Sequence, residues 1–370
     1  MREQARVLLV LGSSAGGVAR HVAQVAEALG MPTADGPGAA VHVAGPPALA
    51  ADLAPAGGRV VFHPVPITDR PRPGDAAVVG RLRTLASGAD VLHAHGLRAG
   101  ALAVLAARSL PRAARPQVVV TLHNLPVGGR AVRTVSAVLE RVVARGADVV
   151  LGVSGDLVER ARVLGAQTVE RALVPAPARP TPGADPAAVR SALGLSDGVA
   201  LVLTVGRLAP QKGLDTLVHA AARLSTIHAG AVLWAVAGDG PLHDRLVSHI
   251  AELDAPVRLL GRRSDVADLF AAADVVVSTA VWEGQPIGVQ EALQLGAVMV
   301  VTDAGGTREV TGDTGAVLVP VGDADAIAQA VEALLTDPAE HAAQSARARA
   351  RAADLPDLDD VVVQLRRVYS

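Results

Sequence analysis

The chain has 370 residues, of which half are apolar, and a formal net charge of −2. Its length predicts roughly two to three domains. It contains no cysteine, which excludes disulfides, thiolate metal sites and a cysteine nucleophile and leads us to expect a cytoplasmic location. Two Trp, two Phe and one Tyr are too few for surfaces that stack single-stranded nucleic acid, so we expect no nucleic-acid partner.

Short runs of β-branched residues alternate along the chain with Ala- and Leu-rich segments of helical spacing. The apolar stretch of the first run, residues 7–11, is far shorter than the ~20 residues of a membrane span, and we interpret it as a buried strand of a soluble protein. Continuous apolar strands that alternate with helices are typical of parallel sheets covered on both faces. The predicted strands are residues 6–12, 90–96, 117–123, 148–154, 199–206, 232–238, 257–261, 274–279 and 298–303.

A proline-rich segment predicts how the chain divides into domains. Five prolines lie between residues 175 and 186, so we expect an extended linker without helix over residues 175–190. On either side we predict a Rossmann-like, doubly wound α/β domain, over residues 1–174 and 191–350. Residues 351–370 should form a C-terminal helix that could pack back on the N-terminal domain. The two domains are expected to face a central cleft, with ligands at the carboxyl ends of the strands.

The two halves of the chain differ in charge. Residues 1–174 hold 19 Arg against 12 acidic residues, whereas residues 175–370 hold 15 basic and 24 acidic residues. A basic surface could meet lipid head groups or a phosphorylated acceptor, with a peripheral membrane contact as the strong version, or it could be a solvated helix face. The arginines in question surround one predicted loop and helix and are Arg70, Arg72, Arg81 and Arg83.

A loop with paired glycines follows the first predicted strand, in the sequence GSSAGGVARHV of residues 12–22. Gly16 and Gly17 would let backbone amides approach a ligand where a helix begins, and a helix N-terminus favours an anion such as phosphate. The loop lacks the G-x-G-x-x-G spacing of dinucleotide-binding proteins. A tight turn without a ligand is therefore an equal interpretation.

The segment TVGRLAPQKG, residues 204–213, contains the single lysine of the chain, Lys212. Arg207 and Lys212 lie on the connection between a predicted strand and the next helix. A planar guanidinium and a compact ammonium together suit a diphosphate better than either does alone. A solvated lysine at the start of a helix is the alternative interpretation.

Two carboxylates occur in the segment VWEGQPIGVQEAL. Glu283 follows a predicted strand, and Glu291 should lie in the first turns of the next helix, so that both would point into the cleft near opposite ends of a ligand. Gly284, Pro286 and Gly288 keep the backbone between them tightly turned and leave amides free for phosphate oxygens. Two unrelated acids on a surface loop are the alternative.

His93 and His95 lie in the predicted strand DVLHAHG. A His-x-His pair can bind zinc, but no third ligand is identified, and alternate residues of a strand simply share a face. We therefore favour a structural pair, or one that lines the acceptor side, over a metal site. The sequence DADA of residues 323–326 likewise predicts the start of a helix and not a metal site.

These motifs resemble, in their order along the chain, those of the retaining GT-B glycosyltransferases of family 4. The resemblance runs from residue 7 to about residue 315. It rests on GGVARHV, HAHG, TLHN, GVSGDL, VGRLAPQKG, VAGDGPL, LLGRRSDV, LFAAADVVVST and EGQPIGVQEAL. It implies a nucleoside-diphosphate sugar as co-substrate, with no further cofactor and no metal requirement.

The resemblance also assigns roles to individual residues. Arg207 and Lys212 would hold the diphosphate and stabilise its charge as the glycosyl bond breaks. Glu283 would contact the donor sugar, Glu291 would bind the ribose hydroxyls, and His123 would hydrogen-bond the transferred sugar. Gly16 and Gly17 would bring backbone amides to the phosphates. The remaining donor-binding residues would be Gly206, Gly284, Gln285, Pro286 and Ile287.

Two further expectations follow from the resemblance. His95 would lie on the acceptor side of the site. Gln285 stands where relatives often have an aromatic or aliphatic residue, so it could add a hydrogen bond to the donor sugar and leaves the identity of that sugar open.

We therefore predict a retaining, metal-independent glycosyltransferase that moves a sugar, expected to be a hexose, to an unidentified acceptor, either a small molecule or a lipid-linked one. A phosphorylase or epimerase of the same architecture and an inactive nucleotide-sugar sensor are the alternatives. Phosphorylases of the pyridoxal type need a Schiff-base lysine, whereas the only lysine here lies in the diphosphate motif. Product analysis separates these enzymes, and turnover with any donor would eliminate the sensor.

Overall fold

The structure is a computed structural model that describes residues 4–13, 17–32, 37–54, 58–68, 70–125, 129–175 and 181–370. It divides into two compact units. The N-terminal unit comprises Met1–Pro175 and Pro356–Ser370, and the C-terminal unit comprises Ala176–Leu355. Each unit contains one parallel sheet with helices, which confirms the predicted α/β fold class.

Seven parallel strands form the sheet of the N-terminal unit. They are β1 (Arg6–Leu11), β2 (Ala40–Gly45), β3 (Val61–Pro64), β4 (Val91–His95), β5 (Gln117–Leu122), β6 (Val149–Gly152) and β7 (Val169–Arg171). Their order in the sheet is β3-β2-β1-β4-β5-β6-β7, so that the chain turns from one side of β1 to the other between β3 and β4. Ligands of doubly wound folds bind at such a switch point, outside the carboxyl ends of the strands.

The helices of this unit follow the strands and cover the sheet. They are α1 (Gly17–Gly30), α2 (Ala50–Leu53), α3 (Asp75–Ala86), α4 (Leu97–Arg108), α5 (Arg130–Gly146) and α6 (Gly155–Val163). The Ala-rich helix α4 is almost entirely buried. It approaches β5 so closely that a Cβ atom at Gly100 would lie 2.6 Å from a methyl carbon of Val120, which explains the glycine in the middle of the helix.

Six parallel strands form the sheet of the C-terminal unit. They are β8 (Ala200–Val205), β9 (Val232–Ala237), β10 (Val257–Gly261), β11 (Val275–Ser278), β12 (Met299–Thr302) and β13 (Val317–Val319). Their order is β10-β9-β8-β11-β12-β13, which places the switch point between β8 and β11. All nine predicted strands are present in the two sheets.

The helices of the C-terminal unit are α7 (Pro186–Ala192), α8 (Leu214–Ile227), α9 (His243–Glu252), α10 (Val266–Ala272), α11 (Ile287–Leu295), α12 (Thr307–Thr311), α13 (Ala324–Thr336) and α14 (Pro338–Ala353). Aliphatic side chains dominate the cores on the two faces of its sheet. Trp234 is the largest fully buried side chain, and its indole N–H donates to Thr204 Oγ1 at 3.0 Å. Asp323 caps α13 by accepting from the backbone N–H of Ala326, which confirms the helix start predicted there.

The final helix, α15 (Leu358–Val368), belongs to the N-terminal unit. It begins with a capping box, in which Asp357 and Asp360 each accept from the backbone N–H of the other. Gln364 of α15 bonds the backbone at Arg171 and Leu173, beside β7. These bonds fix the end of the chain to the edge of the seven-stranded sheet.

Two boundary predictions differ from the structure. The expectation of no helix over residues 175–190 is wrong at its C-terminal end, because α7 begins at Pro186. Proline is well accepted at the first position of a helix, where its missing N–H would have no partner in any case. The predicted start of the C-terminal helix at residue 351 falls inside α14. That helix ends at Ala353, and the final helix, α15, begins at Leu358. Within the described ranges, no helix combines the length and the apolarity needed to cross a membrane.

Candidate functional site

The carboxyl ends of β8 and β11 form the switch point of the C-terminal unit. Gly206 follows β8 directly, and close backbone packing surrounds it. A Cβ atom at Gly238, after β9, would lie 1.8 Å from the carbonyl oxygen of Gly206, and one at Gly240 would lie 2.4 Å from that of Leu208. Only glycine permits these approaches, so the glycines of AGDGPL bring the end of β9 onto the loop that follows β8.

Lys212 is held at this edge by bonds to the segment after β11. It ends a 3₁₀ turn, Pro210–Lys212, and its carbonyl oxygen accepts from the Thr279 hydroxyl at 2.8 Å. The N–H of Val281 donates to the carbonyl oxygen of Gln211 at 2.9 Å. The next residue, Gly213, has φ +60°, and a Cβ atom there would lie 2.0 Å from the carbonyl oxygen of Thr279. The two strand ends therefore meet backbone to backbone.

Glu283 reaches Lys212 across this junction. Lys212 Nζ donates to Glu283 Oε1, and the side chains are 26% and 14% exposed. The carbonyl oxygen of Glu283 accepts from the N–H of Gly306 at 2.8 Å. A Cβ atom at Gly305, whose φ is +55°, would lie 2.2 Å from that same oxygen. The loop GGTREV after β12 thus holds the backbone of Glu283 in place.

Arg207 lies five residues before Lys212 in the sequence and has an exposed side chain. Within the part of the chain that the structure describes, its guanidinium makes no hydrogen bond or ion pair. The site therefore offers one engaged cation, Lys212, and one that is available to an anion.

Helix α11 and the residues directly before it supply the rest of the predicted donor-binding residues. Gly284 and Pro286 are buried, and Gln285, Ile287 and Glu291 are half-buried. Pro286 precedes the helix, and the first amides of α11 have no partners inside it, as at any helix start. A Cβ atom at Gly288 would meet no neighbouring atom within 4 Å, so the first turn of α11 faces open space where a phosphate oxygen could approach.

In the N-terminal unit, the predicted residues lie at or after the carboxyl ends of β1, β4 and β5. Gly17 is half-buried and begins α1, whereas Gly16 lies outside the described residues. His95 is the last residue of β4, and His123 comes directly after the end of β5. Because β4 and β5 are parallel neighbours, both histidines lie at the same carboxyl edge.

The structure brings four histidines together at this edge. His95 Nδ1 lies 3.2 Å from His123 Nε2, so that one imidazole donates to the other. The ring of His21, on α1, lies 5.9 Å from that of His95 and 6.1 Å from that of His123, measured between centroids. His93 packs against His95 with ring centroids 4.3 Å apart and ring planes tilted by 30°. We call these four residues the histidine cluster.

His93 connects the cluster to the end of the chain. Its Nδ1 lies 2.6 Å from the hydroxyl of Tyr369, and its Nε2 lies 2.7 Å from Thr121 Oγ1. Both ring nitrogens are therefore engaged within the protein. His93 is thus held by contacts within the protein. Among the described residues, no group of three His, Asp or Glu side chains could hold a metal ion.

Burial keeps the histidine cluster uncharged. Desolvation lowers the pKa of His21 to about 4 and, together with repulsion from neighbouring imidazoles, lowers the pKa values of His93 and His123 to about 3. The same causes hold the pKa of His95 well below its usual range. Burial also raises the pKa of the Tyr369 phenol. At neutral pH the cluster offers hydrogen bonds but no positive charge.

Sequence reasoning missed His21, Thr121 and Tyr369. His21 lies in GGVARHV four residues after Gly17, so helical spacing could have placed it toward the strand ends. Nothing in the local sequence indicates Tyr369, because its partner His93 is 276 residues away.

Two family models match the chain. A model described as a glycosyl transferase 4-like domain matches residues 16–177, and one described as glycosyl transferases group 1 matches residues 200–337. Together they cover most of both units. The first model matches the N-terminal unit and the second matches the C-terminal unit.

Among characterised proteins, the chain is 34% identical over 195 residues to the D-inositol 3-phosphate glycosyltransferase of Kineococcus radiotolerans, covering 47% of this chain and 44% of that protein. It is 29% identical over 175 residues to the GDP-mannose-dependent monoacylated alpha-(1-6)-phosphatidylinositol monomannoside mannosyltransferase of Corynebacterium glutamicum, covering 45% of this chain and 46% of that protein. The matched stretch spans less than half the length of each relative.

The whole chain resembles solved structures. The crystal structure of Anabaena HepE in complex with UDP-glucose superposes with a TM-score of 0.79 at 22% identity, covering 98% of each chain. Identity this low supports the fold alone, whereas the two family models identify the family. The chain belongs to the group 1 glycosyltransferases and has their two-domain GT-B fold.

Proposed function

We propose that this protein is a retaining glycosyltransferase that moves a sugar from a nucleoside-diphosphate sugar to an acceptor. The observation that carries the proposal is the junction of β8 and β11, where Lys212 pairs with Glu283 shortly before α11 begins and Arg207 follows β8 with an exposed side chain. Cations and helix amides suit a diphosphate, and a carboxylate suits sugar hydroxyls.

In the proposed reaction, the bond between the anomeric carbon and the β-phosphate oxygen breaks, and its electron pair goes to the departing diphosphate. Arg207 and Lys212 stabilise that charge while the sugar gains oxocarbenium character. The acceptor oxygen bonds to the same face of the sugar, and its proton passes to a diphosphate oxygen. The anomeric configuration is therefore retained.

The other predicted residues bind and orient the donor in this proposal. Glu291 binds the ribose hydroxyls, Gln285 and His123 contact the transferred sugar, and His95 lies on the acceptor side. A neutral His123 suits this task because a cation would disfavour the positive charge that develops on the sugar. Gly17 brings a backbone amide to the phosphates from the start of α1.

We also propose that the reaction needs neither a metal nor a further cofactor, because two cationic side chains serve the diphosphate. Asp323 and Asp325, the acids of DADA, have other roles: Asp323 caps α13, and Asp325 pairs with Arg223 at 2.9 Å. We propose the cytoplasm as the location, as expected for a cysteine-free chain. Activity that survives treatment with EDTA would support metal independence.

A peripheral membrane contact through the N-terminal unit is part of the proposal for the acceptor. The predicted arginines of this unit, Arg70, Arg72, Arg81 and Arg83, are exposed, and helix α5 adds an apolar element. Val132, Val135 and Val138 of α5 are 47%, 41% and 55% exposed. The one acid of α5, Glu140, is buried and pairs with Arg160 of α6, so the exposed charges of α5 are all positive. Exposed valines among arginines suit an anionic lipid surface.

Vesicle pelleting tests this contact. We expect salt-sensitive binding to phosphatidylglycerol vesicles that is weakened when Val135 and Val138 are both changed to Ser. Val163→Ser is the matched control, because Val163 is 76% exposed in the same unit but lies on α6. Equal pelleting of all variants, or none by the wild type, would refute the contact.

A thermal-shift screen tests the enzyme itself. UDP, GDP, ADP and their sugars are added to the wild type and to the Arg207→Ala and Lys212→Ala variants, with Arg223→Ala as a control for removal of a cation elsewhere in the same unit. We expect one nucleotide to raise the Tm of the wild type and of the control, and to raise the Tm of the two site variants much less.

Product analysis completes the test. Retention of the anomeric configuration, determined by NMR of the product, would support the proposed reaction. Phosphorolysis or epimerisation would instead indicate another enzyme on the same fold, and binding without turnover would indicate a sensor. No thermal shift with any nucleotide at millimolar concentration would refute the proposal.

A further inference from the structure

The sole lysine of the chain is engaged by the carboxylate that the proposed function assigns to the sugar. Lys212 Nζ donates to Glu283 Oε1, and neither side chain is more than about a quarter exposed, at 26% and 14%. The proposed function gives Lys212 to the diphosphate and Glu283 to the sugar. In the structure the two groups are instead paired with each other.

Electrostatics makes this pairing an obstacle to a diphosphate. A nucleoside diphosphate that takes Lys212 must displace Glu283, and the released carboxylate then lies close to the incoming negative charge. Water reaches this partly buried position poorly, so an unpaired carboxylate there is costly. A ligand overcomes the obstacle if it also gives Glu283 a hydrogen-bond donor. Sugar hydroxyls are such donors, whereas a free nucleoside diphosphate has none at this end.

The backbone around the pair is fixed, so the exchange needs only side-chain movement. Thr279 and Gly213 hold the backbone of Lys212 against the segment after β11, and Gly305 and Gly306 hold that of Glu283. The stem of Lys212 lies along Gly206, where a Cβ atom would be 3.4 Å from Lys212 Cε. The absence of a side chain at that position leaves room for the lysine to change rotamer.

We infer that Glu283 is an exchangeable counter-ion of Lys212, and that this exchange makes the site prefer a nucleoside-diphosphate sugar over the free nucleoside diphosphate. Arg207, which has no side-chain partner among the described residues, meets the diphosphate first. The sugar then draws Glu283 away and frees Lys212. After transfer the sugar is gone, so Glu283 returns to Lys212 and favours release of the product. This inference rests on the proposed function and adds a specificity role to Glu283.

The test uses calorimetry to compare the affinities of the protein for the free nucleoside diphosphate and for the corresponding nucleoside-diphosphate sugar. Glu283→Gln removes the charge and keeps the shape of the side chain. We expect it to bind the nucleoside diphosphate about tenfold more tightly than the wild type does, or better, because Lys212 is already free. Binding of the nucleoside-diphosphate sugar should gain much less, so the preference for the sugar form shrinks.

Two control variants separate this exchange from other effects. Glu291→Gln removes the carboxylate of α11 and should weaken the binding of both ligands. Asp303→Asn, directly after β12, removes one negative charge as Glu283→Gln does. Because Asp303 pairs with Arg308 and not with Lys212, we expect little change in the affinity for either ligand. The tryptophan fluorescence, from Trp234 and Trp282, checks that each variant is folded.

A second readout uses the fact that Lys212 is the only lysine. In protein labelled with ¹⁵N-lysine, the single side-chain ammonium signal reports on Lys212 without any ligand. We expect it to be protected from exchange with water in the wild type, and to shift and broaden in Glu283→Gln. Adding the nucleoside-diphosphate sugar should change the wild-type signal.

The outcomes are distinguishable. Tight nucleotide binding by the wild type with no gain in Glu283→Gln, or an ammonium signal unchanged by that substitution, would overturn the inference alone. If the wild type bound neither a nucleoside diphosphate nor a nucleoside-diphosphate sugar, the proposed function and the inference would be overturned together. In that case, an ammonium signal that shifts in Glu283→Gln would show that the ion pair is purely structural.

Discussion

Acidification should unfold the N-terminal unit, because the histidine cluster, with three buried members and the half-buried His123, carries no charge. The cluster residues titrate near 6.5 in the unfolded chain, whereas in the folded protein the pKa values are about 4 for His21 and about 3 for His93 and His123. Below 6.5 the unfolded state therefore binds more protons than the folded state does. The stability present above pH 6.5 is lost as the pH falls toward these lower values.

The magnitude follows from the four sites. Between pH 6 and pH 5, one histidine that protonates only on unfolding lowers the free energy of unfolding by about 1.2 kcal/mol, and four of them lower it by about 5 kcal/mol. That loss is comparable to the whole stability of many domains, which is about 5–15 kcal/mol. We therefore expect the N-terminal unit to lose most of its stability near pH 5.

The aromatic residues allow each unit to be followed separately. The single tyrosine, Tyr369, contacts His93 in the N-terminal unit, and both tryptophans, Trp234 and Trp282, lie in the C-terminal unit. Urea unfolding from pH 7 to pH 5 is measured by ¹⁹F NMR of fluorotyrosine-labelled protein and, in parallel, by tryptophan fluorescence. The transition reported by the tyrosine should move steeply with pH.

Substitution of one cluster residue sharpens the test. His21→Leu should reduce the pH dependence of the tyrosine-reported transition by about one proton, or about 1.4 kcal/mol per pH unit. His219→Ala, which removes an exposed histidine of the other unit, should leave it unchanged. A tyrosine-reported stability that stays constant within about 1 kcal/mol between pH 7 and pH 5 would refute the reasoning.

Three further substitutions test the geometry. Gly213→Ala should destabilise the C-terminal unit by more than about 1 kcal/mol in urea, because φ is +60° and the new Cβ would meet the Thr279 carbonyl oxygen; a wild-type transition would contradict this. Gly288→Ala has open space, so stability should stay equal or rise by up to about 1 kcal/mol, while nucleotide affinity, measured by calorimetry, should fall. Tyr369→Phe leaves a buried nitrogen of His93 unpaired and should cost about 1–3 kcal/mol in urea; an unchanged midpoint would show that the hydroxyl is dispensable.

The sequence by itself determined the fold class and most of the sheets. All nine strands that it predicts are present, because a strand buried on both faces has a continuous apolar pattern that is local and easily read. The strands it did not predict, β2, β3, β7 and β13, lie at or next to the edges of the sheets, and β3, β7 and β13 are only three or four residues long. Short edge strands carry less of that pattern, so only the pairing in the folded sheet identifies them.

The candidate site divides in the same way. Lys212 and Glu283 were each found from the sequence, because residue type and position after a strand are local properties. Their ion pair was not, since 71 residues separate them and the contact depends on how β8 and β11 pair. The histidine cluster likewise forms only when α1, β4 and β5 come together. Local sequence therefore determined which groups are present at the strand ends, whereas the tertiary structure decided which of them touch, because contact depends on strand order.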